Sequence, residues 1–308
     1  MPLLTSDAKG VFVISVTPFT AAGGVDFDSL DRVVDFYFDK GATGLTILGM
    51  MGEAQKLTQE ESRAVAARVI SRAAGRPVVV GVSAPGLAAI GELGKAVMDM
   101  GAAGCMVTTP ASLKTDPQIH SYFTQVAETL GAGVPIVLQD FPLSTGVHIS
   151  DAVLGRIIDD VRQVKMLKHE DWPGLAKITA LRKAEAEGRR RISILCGNGG
   201  VFLPEEMARG ADGAMTGFGF PEMLAEVVRL GAAGEIDRAQ DIFDAYLPLV
   251  RYEQQPGAGL AVRKYVLAKR GAIATPALRA PGAGLAPLAM AEVDRLLARQ
   301  DRKLKELN

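Results

Sequence analysis

A lysine and a glutamate at the end of a short apolar run are the strongest candidates for chemistry in this sequence. The stretch VKMLKHEDW, residues 164–172, leads from apolar residues into Lys168, His169 and Glu170. If the run is a strand, Lys168 and Glu170 share one side of it and His169 takes the other, because strand side chains alternate. At the mouth of an apolar core, desolvation favours the neutral amine, which attacks a ketone to form an imine. Alternatively, Lys168 extends to solvent and pairs with Glu170 or Asp171.

A second polar pair, Gln139 and Asp140, ends another apolar run, PIVLQD. Either side chain can orient substrate hydroxyl groups or a water molecule, and both are candidate catalytic residues. Neighbouring strand residues point in opposite directions, so a regular strand presents only one of them to a site. The sequence leaves open which one.

These candidates lie at the ends of two predicted strands, and the chain repeats a strand–helix unit eight times. Short apolar or β-branched runs alternate with helical patterns, and they begin near Val11, Leu45, Val78, Gly104, Pro135, Val164, Ile192 and Gly213. Strands separated by helices pair in parallel, and continuous apolar runs indicate strands buried on both faces. An open doubly wound sheet and a closed barrel both fit this alternation. Eight similar units and the absence of GxGxxG after the first strand favour a (β/α)₈ TIM barrel.

The C-terminal ends of barrel strands carry function in this fold. Polar or glycine-rich segments at these ends supply the predicted substrate-binding residues, which are Thr17, Met50, Met51, Gly52, Ser83, Asn198, Thr216 and Gly217. We expect Glu53 instead to hold the loop after the second strand in place.

The chain continues beyond the eighth unit through three extra C-terminal helices, predicted near 235–255, 259–270 and 288–305. This part is too small to fold alone. We therefore predict a catalytic barrel over 1–225 and a helical extension over 226–308 that packs on the barrel and is not an independent domain.

Composition excludes several classes of function. Of 308 residues 48% are hydrophobic and 22% are charged, and the net charge is −1, so neither nucleic acid nor an anionic membrane is an expected partner. No signal peptide or membrane span is read. Cys105 and Cys196 lack metal-site spacing and are expected to be buried free thiols of a cytoplasmic protein. The three histidines form no HxH or HExxH motif, so no metal site is predicted.

Over nearly its whole length the chain resembles the dihydrodipicolinate synthase and N-acetylneuraminate lyase family of Schiff-base lyases. The segments that carry the resemblance include GVFVISVTPF, GLTILGMMGEAQKLTQEE, PIVLQDFPLSTG, MLKHE and GADGAMTG. The resemblance implies the same barrel, an imine between Lys168 and a 2-oxo acid, and no cofactor besides that lysine. It also implies a homo-oligomer, a tetramer built as a dimer of dimers or a smaller dimer.

Four departures from the family pattern concern the carboxylate of the 2-oxo acid, the proton relay and the second substrate. Met50 and Met51 stand where the family has two threonines that hold the 2-oxo acid carboxylate, although backbone amides there can still bind it. Gln139 replaces the tyrosine that moves protons, and Ala111 replaces a second tyrosine. Ser144 stands where dihydrodipicolinate synthase has an arginine for the second carboxylate. These losses argue against condensation with aspartate semialdehyde.

A smaller branch of the family, the 2-keto-3-deoxy-L-arabonate dehydratases, is similar in three segments. The branch carries Gln-Asp-x-Pro, Lys-x-Glu and TGxGFP, which correspond to residues 139–142, 168–170 and 216–221 here. Its second-strand loop is not the Gly-x-x-Gly-Glu found at 49–53.

We therefore predict a lyase, a dehydratase or an aldolase, that acts on a 2-oxo acid such as a 2-keto-3-deoxy sugar acid. One alternative is a dihydrodipicolinate-synthase-type or pyruvate-dependent aldolase with an atypical proton relay. A second alternative is a non-catalytic protein that binds a 2-oxo acid and regulates a partner.

Overall fold

Eight parallel strands close into a barrel in the order of the sequence, as predicted. The computed structural model describes residues 2–307. The strands are β1 Gly10–Ile14, β2 Gly44–Ile47, β3 Val78–Gly81, β4 Gly104–Thr108, β5 Ile136–Asp140, β6 Val164–His169, β7 Ser193–Cys196 and β8 Gly213–Ala214. Each begins within one residue of the predicted start, because buried β-branched runs bounded by glycine or proline locate parallel strands well.

Nine helices belong to the barrel units within the described residues. They are α1 Phe27–Asp39, α2 Gln59–Arg72, α3 Leu87–Asp99, α4 Asp116–Leu130, α5 Pro142–Thr145, α6 Asp151–Asp160, α7 Leu175–Ala186, α8 Leu203–Ala208 and α9 Pro221–Ala232. A capping box begins α2: the Thr58 hydroxyl accepts from the amide of Glu61, and the Glu61 carboxylate accepts from the amide of Thr58. Local capping chemistry therefore starts this helix directly after Thr58.

The three additional helices are α10 Ile236–Glu253, α11 Gly259–Lys269 and α12 Pro287–Leu307. They confirm the predicted C-terminal extension. Helix α9 runs through residue 225, so the predicted boundary between barrel and extension falls inside the helix of the eighth barrel unit. Helix α10 packs on α8 and α9 of the barrel, and α12 packs on α10.

A layer of large apolar side chains fills the interior of the barrel. It consists of Leu4, Phe12, Ile14, Val79, Met106, Val137, Met166, Leu195 and Met215. These side chains make the interior a packed core, as is usual in eight-stranded barrels. The residue two positions after an interior residue faces the same way, so the strand ends beyond this layer point into the barrel mouth.

The layer between strands and helices holds the main hydrophobic core. Cys105 and Cys196 are buried there, and both are free thiols, as predicted. Within residues 2–307, none of the helices combines the length and the apolar character that crossing a bilayer requires.

Candidate active site

Lys168 and Glu170 meet at the mouth of the barrel. Lys168 Nζ lies 2.9 Å from Glu170 Oε2, and both side chains are buried. Met166 belongs to the interior layer, so alternation along β6 carries Lys168 inward as well. The Glu170 amide donates to the Asp140 carbonyl at 2.9 Å, which continues the ladder one residue past β6 and keeps Glu170 on the same side as Lys168. The predicted placement of both side chains is confirmed.

Gln139, and not Asp140, faces the interior of the barrel. Gln139 is the register partner of Lys168 across β5 and β6, and its Nε2 donates to Glu170 Oε2 at 2.6 Å. Glu170 Oε2 thus contacts an ammonium group and an amide donor at once. This arrangement fixes the carboxylate beside the amine that would carry an imine.

The expectation that Asp140 takes part in the site is wrong. Asp140 points into the layer between strands and helices, where its Oδ2 lies 2.7 Å from Nζ of Lys177 on α7. Burial raises the pKa of Asp140 to about 6 in spite of the neighbouring lysine. Lys177 also contacts Asp171 at 2.6 Å. Burial opposes the charge of Lys177, but Asp140 and Asp171 outweigh it and raise the pKa of this lysine. The group is a buried structural cluster behind the strand.

His169 alternates away from the site, as its position between Lys168 and Glu170 predicts. Its Nε2 lies 3.0 Å from the Gly174 carbonyl oxygen. Burial lowers the pKa of His169 to about 4, so the imidazole is neutral near pH 7. It supports the chain turn after β6 and has no contact with the lysine–glutamate pair through its ring nitrogens.

The loop after β2 presents two free backbone amides. Met50–Gly52 form a short 3-10 turn that follows Leu48, whose φ of 54° is left-handed. Such a conformation costs a branched residue about 1 kcal/mol or more and is found at functional sites. The amides of Met50 and Met51 donate to no other described residue. They are available to a carboxylate, as expected from the resemblance.

Glu53 holds this loop to the C-terminal extension, which confirms its expected role. Glu53 Oε1 lies 2.6 Å from Nζ of Lys264 on α11, and Oε2 lies 2.8 Å from Nζ of Lys56. Oε2 also accepts from the amide of Arg279 at 3.1 Å. The buried carboxylate therefore joins the turn at Met50–Gly52 to two segments of the extension.

A cavity of about 460 Å³ contains the lysine and the glutamate. Of the predicted residues, Lys168, Glu170, Met50, Met51, Asn198, Thr216 and Gly217 line it. Asn198 donates from Nδ2 to the Glu170 carbonyl at 3.0 Å, and Thr216 Oγ1 accepts from the amide of Gly199 at 2.9 Å. These two contacts shape the wall on the side of β7 and β8. The volume suits a small organic acid.

Three predicted binding residues lie outside this cavity. Ser83 lines a neighbouring cavity of about 450 Å³ and accepts from the amide of Thr108 at 3.0 Å. Thr17 donates to the carbonyl of Gly52 at 2.7 Å, and both residues are buried. Thr17 and Gly52 therefore fix the loop that carries the methionines and do not line the cavity. Met50 and Phe141 line both cavities and separate them.

Sequence reasoning missed the contribution of the C-terminal extension to the cavity. The corner between α10 and α11 covers it with Glu253, Gln254, Leu260 and Arg263. A signal was present: Glu253 continues the buried stripe of Tyr246 and Val250 on α10 at helical spacing. A charged residue on the apolar face of a helix indicates a paired or functional group.

Comparisons with known proteins agree with this architecture. The profile of the Dihydrodipicolinate synthetase family matches residues 7–300. L-2-keto-3-deoxyarabonate dehydratase of Azospirillum brasilense is 30% identical over 95% of this chain and 94% of its own length. A 4-hydroxy-tetrahydrodipicolinate synthase of Kineococcus radiotolerans is 31% identical over 92% of this chain and 89% of its own. The crystal structure of dihydrodipicolinate synthase from Rhodopseudomonas palustris superposes with a TM-score of 0.96 at 54% identity, covering 97% of this chain and all of that one.

Proposed function

Because the chain belongs to the dihydrodipicolinate synthetase family, whose members are lyases, we propose that it is a Schiff-base lyase for a 2-keto-3-deoxy sugar acid. The observation that carries this proposal is the 2.9 Å contact between Lys168 Nζ and Glu170 Oε2 inside a cavity of about 460 Å³. A nucleophile, a proton acceptor and room for a small acid occur together there.

The first proposed step is formation of the imine. The neutral Lys168 amine attacks C2 of the 2-oxo acid, and the resulting carbinolamine loses water to give an iminium ion. The free amides of Met50 and Met51 hold the C1 carboxylate. Glu170, beside the amine, takes the ammonium proton before attack and supplies the proton with which the hydroxyl group leaves as water.

The second proposed step is loss of water from the substrate. The positive iminium acidifies the C3 hydrogen, and the Glu170 carboxylate accepts that proton to give a neutral enamine. The enamine expels the C4 hydroxyl group, which Glu170 protonates, and hydrolysis of the imine returns the Lys168 amine. Gln139, bound to the same carboxylate oxygen, keeps Glu170 in position through both transfers. One carboxylate thus replaces the tyrosine relay of the wider family.

A second candidate function is condensation of a 2-oxo acid with an aldehyde. The name of the 54% identical Rhodopseudomonas palustris protein, dihydrodipicolinate synthase, favours it. Ala111 and Ser144, which line the neighbouring cavity, supply neither a phenol nor a guanidinium group for a second carboxylate. The dehydratase therefore remains the preferred function.

Borohydride trapping tests the proposal. The protein is incubated with pyruvate or with a 2-keto-3-deoxy sugar acid, reduced, and mapped by peptide mass spectrometry. A reduced adduct is expected on Lys168 and none on Lys177. Lys177 is an internal control because it is also a buried lysine and lies close to Lys168 in the sequence, but it is paired with Asp140 and Asp171. Lys168→Ala is expected to abolish the adduct. Wild-type protein that forms no adduct with either acid would favour a non-catalytic binding protein.

The proposed chemistry needs no metal or organic cofactor, because the protonated imine is the electron sink. Activity is therefore expected to survive exhaustive dialysis against a chelator. A loss of turnover that added divalent metal restores would contradict this part of the proposal.

We also propose that the chain forms a homo-oligomer, a dimer or a tetramer. Support comes from apolar side chains at the barrel mouth: Trp172 and Phe202 are each more than a third exposed and pack edge to face at 5.6 Å, and Leu143 is 60% exposed. Light scattering coupled to size exclusion is expected to give a multiple of the chain mass; a monomer at micromolar concentration would refute it.

A further inference from the structure

A buried ion pair contributed by the C-terminal extension lines the cavity of Lys168. Glu253 is the last residue of α10, and Arg263 lies on α11. Arg263 Nη2 donates to Glu253 Oε2 at 2.8 Å, and both side chains are buried. None of the steps proposed above uses either residue.

The pair leaves several of its polar atoms without partners. Arg263 Nε and Glu253 Oε1 are buried and make no hydrogen bond with a described residue. Arg263 Nη1 also donates to none of residues 2–307. A pair that served stability alone would gain from a bidentate contact, and buried unpaired polar groups are costly. Nη1, which unlike Nε and Oε1 is not fully buried, is the unpaired donor that the cavity presents to a ligand.

The guanidinium group reaches the mouth of the barrel itself. A Cβ atom added at Gly217 would lie 2.5 Å from Arg263 Nη1 and 2.9 Å from the Ile14 carbonyl oxygen. Glycine at 217 therefore makes room for Nη1 against the ends of β1 and β8. Gly217 and Ile14 line the same cavity as Lys168.

The chemistry of the pair selects among possible substrate tails. A hydroxyl group can accept from the guanidinium and donate to the carboxylate, so it satisfies both members. A second carboxylate would meet the charge of Glu253, and an apolar tail would leave both members unsatisfied. We infer that Arg263 and Glu253 bind the distal hydroxyl groups of the substrate and make the enzyme specific for a hydroxylated 2-oxo acid. This inference rests on the proposed function of the same cavity.

A double variant, Arg263→Met with Glu253→Gln, tests the inference without leaving a buried unpaired charge. Two rates are measured: kcat/KM for a 2-keto-3-deoxy sugar acid, and the rate of borohydride-trapped imine formation with pyruvate, which has no tail. The sugar-acid kcat/KM is expected to fall about 100-fold, since hydrogen bonds to charged groups are lost. The rate with pyruvate is expected to fall by tenfold or less.

A matched control is the pair Arg270 and Glu222, which joins the end of α11 to α9 and does not line the cavity. Arg270→Met with Glu222→Gln is expected to change the two rates by the same factor. If the double variant at 263 and 253 also changes both rates equally, or changes neither, the pair has a structural role only and the inference is wrong.

The single variant Glu253→Gln gives an independent test. It leaves the Arg263 charge unopposed, so a 2-oxo acid with a terminal carboxylate is expected to gain at least tenfold in kcat/KM relative to the hydroxylated acid. An unchanged preference would overturn the inference. Wild-type protein that forms no imine would overturn the proposed function together with this inference, whereas imine formation with an unchanged preference would overturn this inference alone.

Discussion

Replacing Glu170 with glutamine separates the proton-transfer role of this carboxylate from its structural role. Glutamine keeps the shape of the side chain and can still contact Gln139 and the amide of Asn198, which lie 2.6 and 3.4 Å from the two Glu170 oxygens. It cannot accept the C3 proton. The variant therefore removes the proposed base and leaves the cavity filled.

Glu170→Gln is expected to lower the turnover rate strongly and the rate of imine formation only slightly. A positioned general acid–base group contributes typically ~10²–10⁴-fold. Glu170 is proposed to act at both C3 and the C4 hydroxyl, so kcat for a 2-keto-3-deoxy sugar acid is expected to fall by about 10³-fold or more. In imine formation with pyruvate, bulk water can take over the proton transfers proposed for Glu170, so trapping by borohydride is expected to persist at a reduced rate.

The assay follows release of product in the steady state and, in parallel, the yield of the reduced adduct by intact mass. Asp140→Asn is the matched control. Asp140 is a buried carboxylate on β5, beside Glu170 in the backbone, but its side chain lies behind the strand against Lys177. This variant is expected to lower the melting temperature through the disrupted buried pair while kcat stays within threefold of wild type. A Glu170→Gln enzyme with kcat within fivefold of wild type would refute the proposed relay, and a folded Asp140→Asn enzyme with a 10³-fold defect would return Asp140 to the site.

Three further predictions concern the support of the site and its response to pH. Burial raises the pKa of Glu206 to about 8, so the folded state loses stability as pH rises from 4.5, the ordinary pKa of a glutamate, towards 8. Glu206→Gln is expected to remove up to about 4 kcal/mol of this loss. The measurement is the free energy of unfolding of the variant and of wild type, whose difference is expected to grow between pH 5 and 8. A difference that is constant across this range would contradict it. Lys264→Met breaks the buried contact with Glu53 and is expected to cost about 3 kcal/mol in urea unfolding, whereas an unchanged midpoint would show that the contact is dispensable. Gly197→Ala places a Cβ 2.2 Å from Cγ of Glu170, so kcat is expected to fall at least tenfold with trapping retained; wild-type turnover would show that Glu170 adjusts freely.

Much of the fold and part of the site could be predicted from local pattern. Lys168 and Glu170 were placed together, and His169 away from them, because alternation along one strand depends only on backbone geometry. The side chains of Gln139 and Asp140 also alternate, yet the sequence does not predict which of the two points into the barrel. Parallel barrel strands are buried on both faces, so apolar residues surround the two side chains equally and hydropathy does not mark the inner face.

The sequence by itself determined the eight strand–helix units, the capping of α2 and the inward-facing lysine at the end of β6, since each depends on residues close together in the chain. Only the tertiary structure decided that Gln139 faces Glu170, that Asp140 pairs with Lys177 on α7, and that Arg263 on α11 reaches the mouth of the barrel. Those contacts join residues 31 to 46 positions apart, and Ile14, which lies beside Gly217, is about 200 positions before it in the chain. Barrel closure and the return of the terminal helices bring them together, and no local periodicity encodes either event.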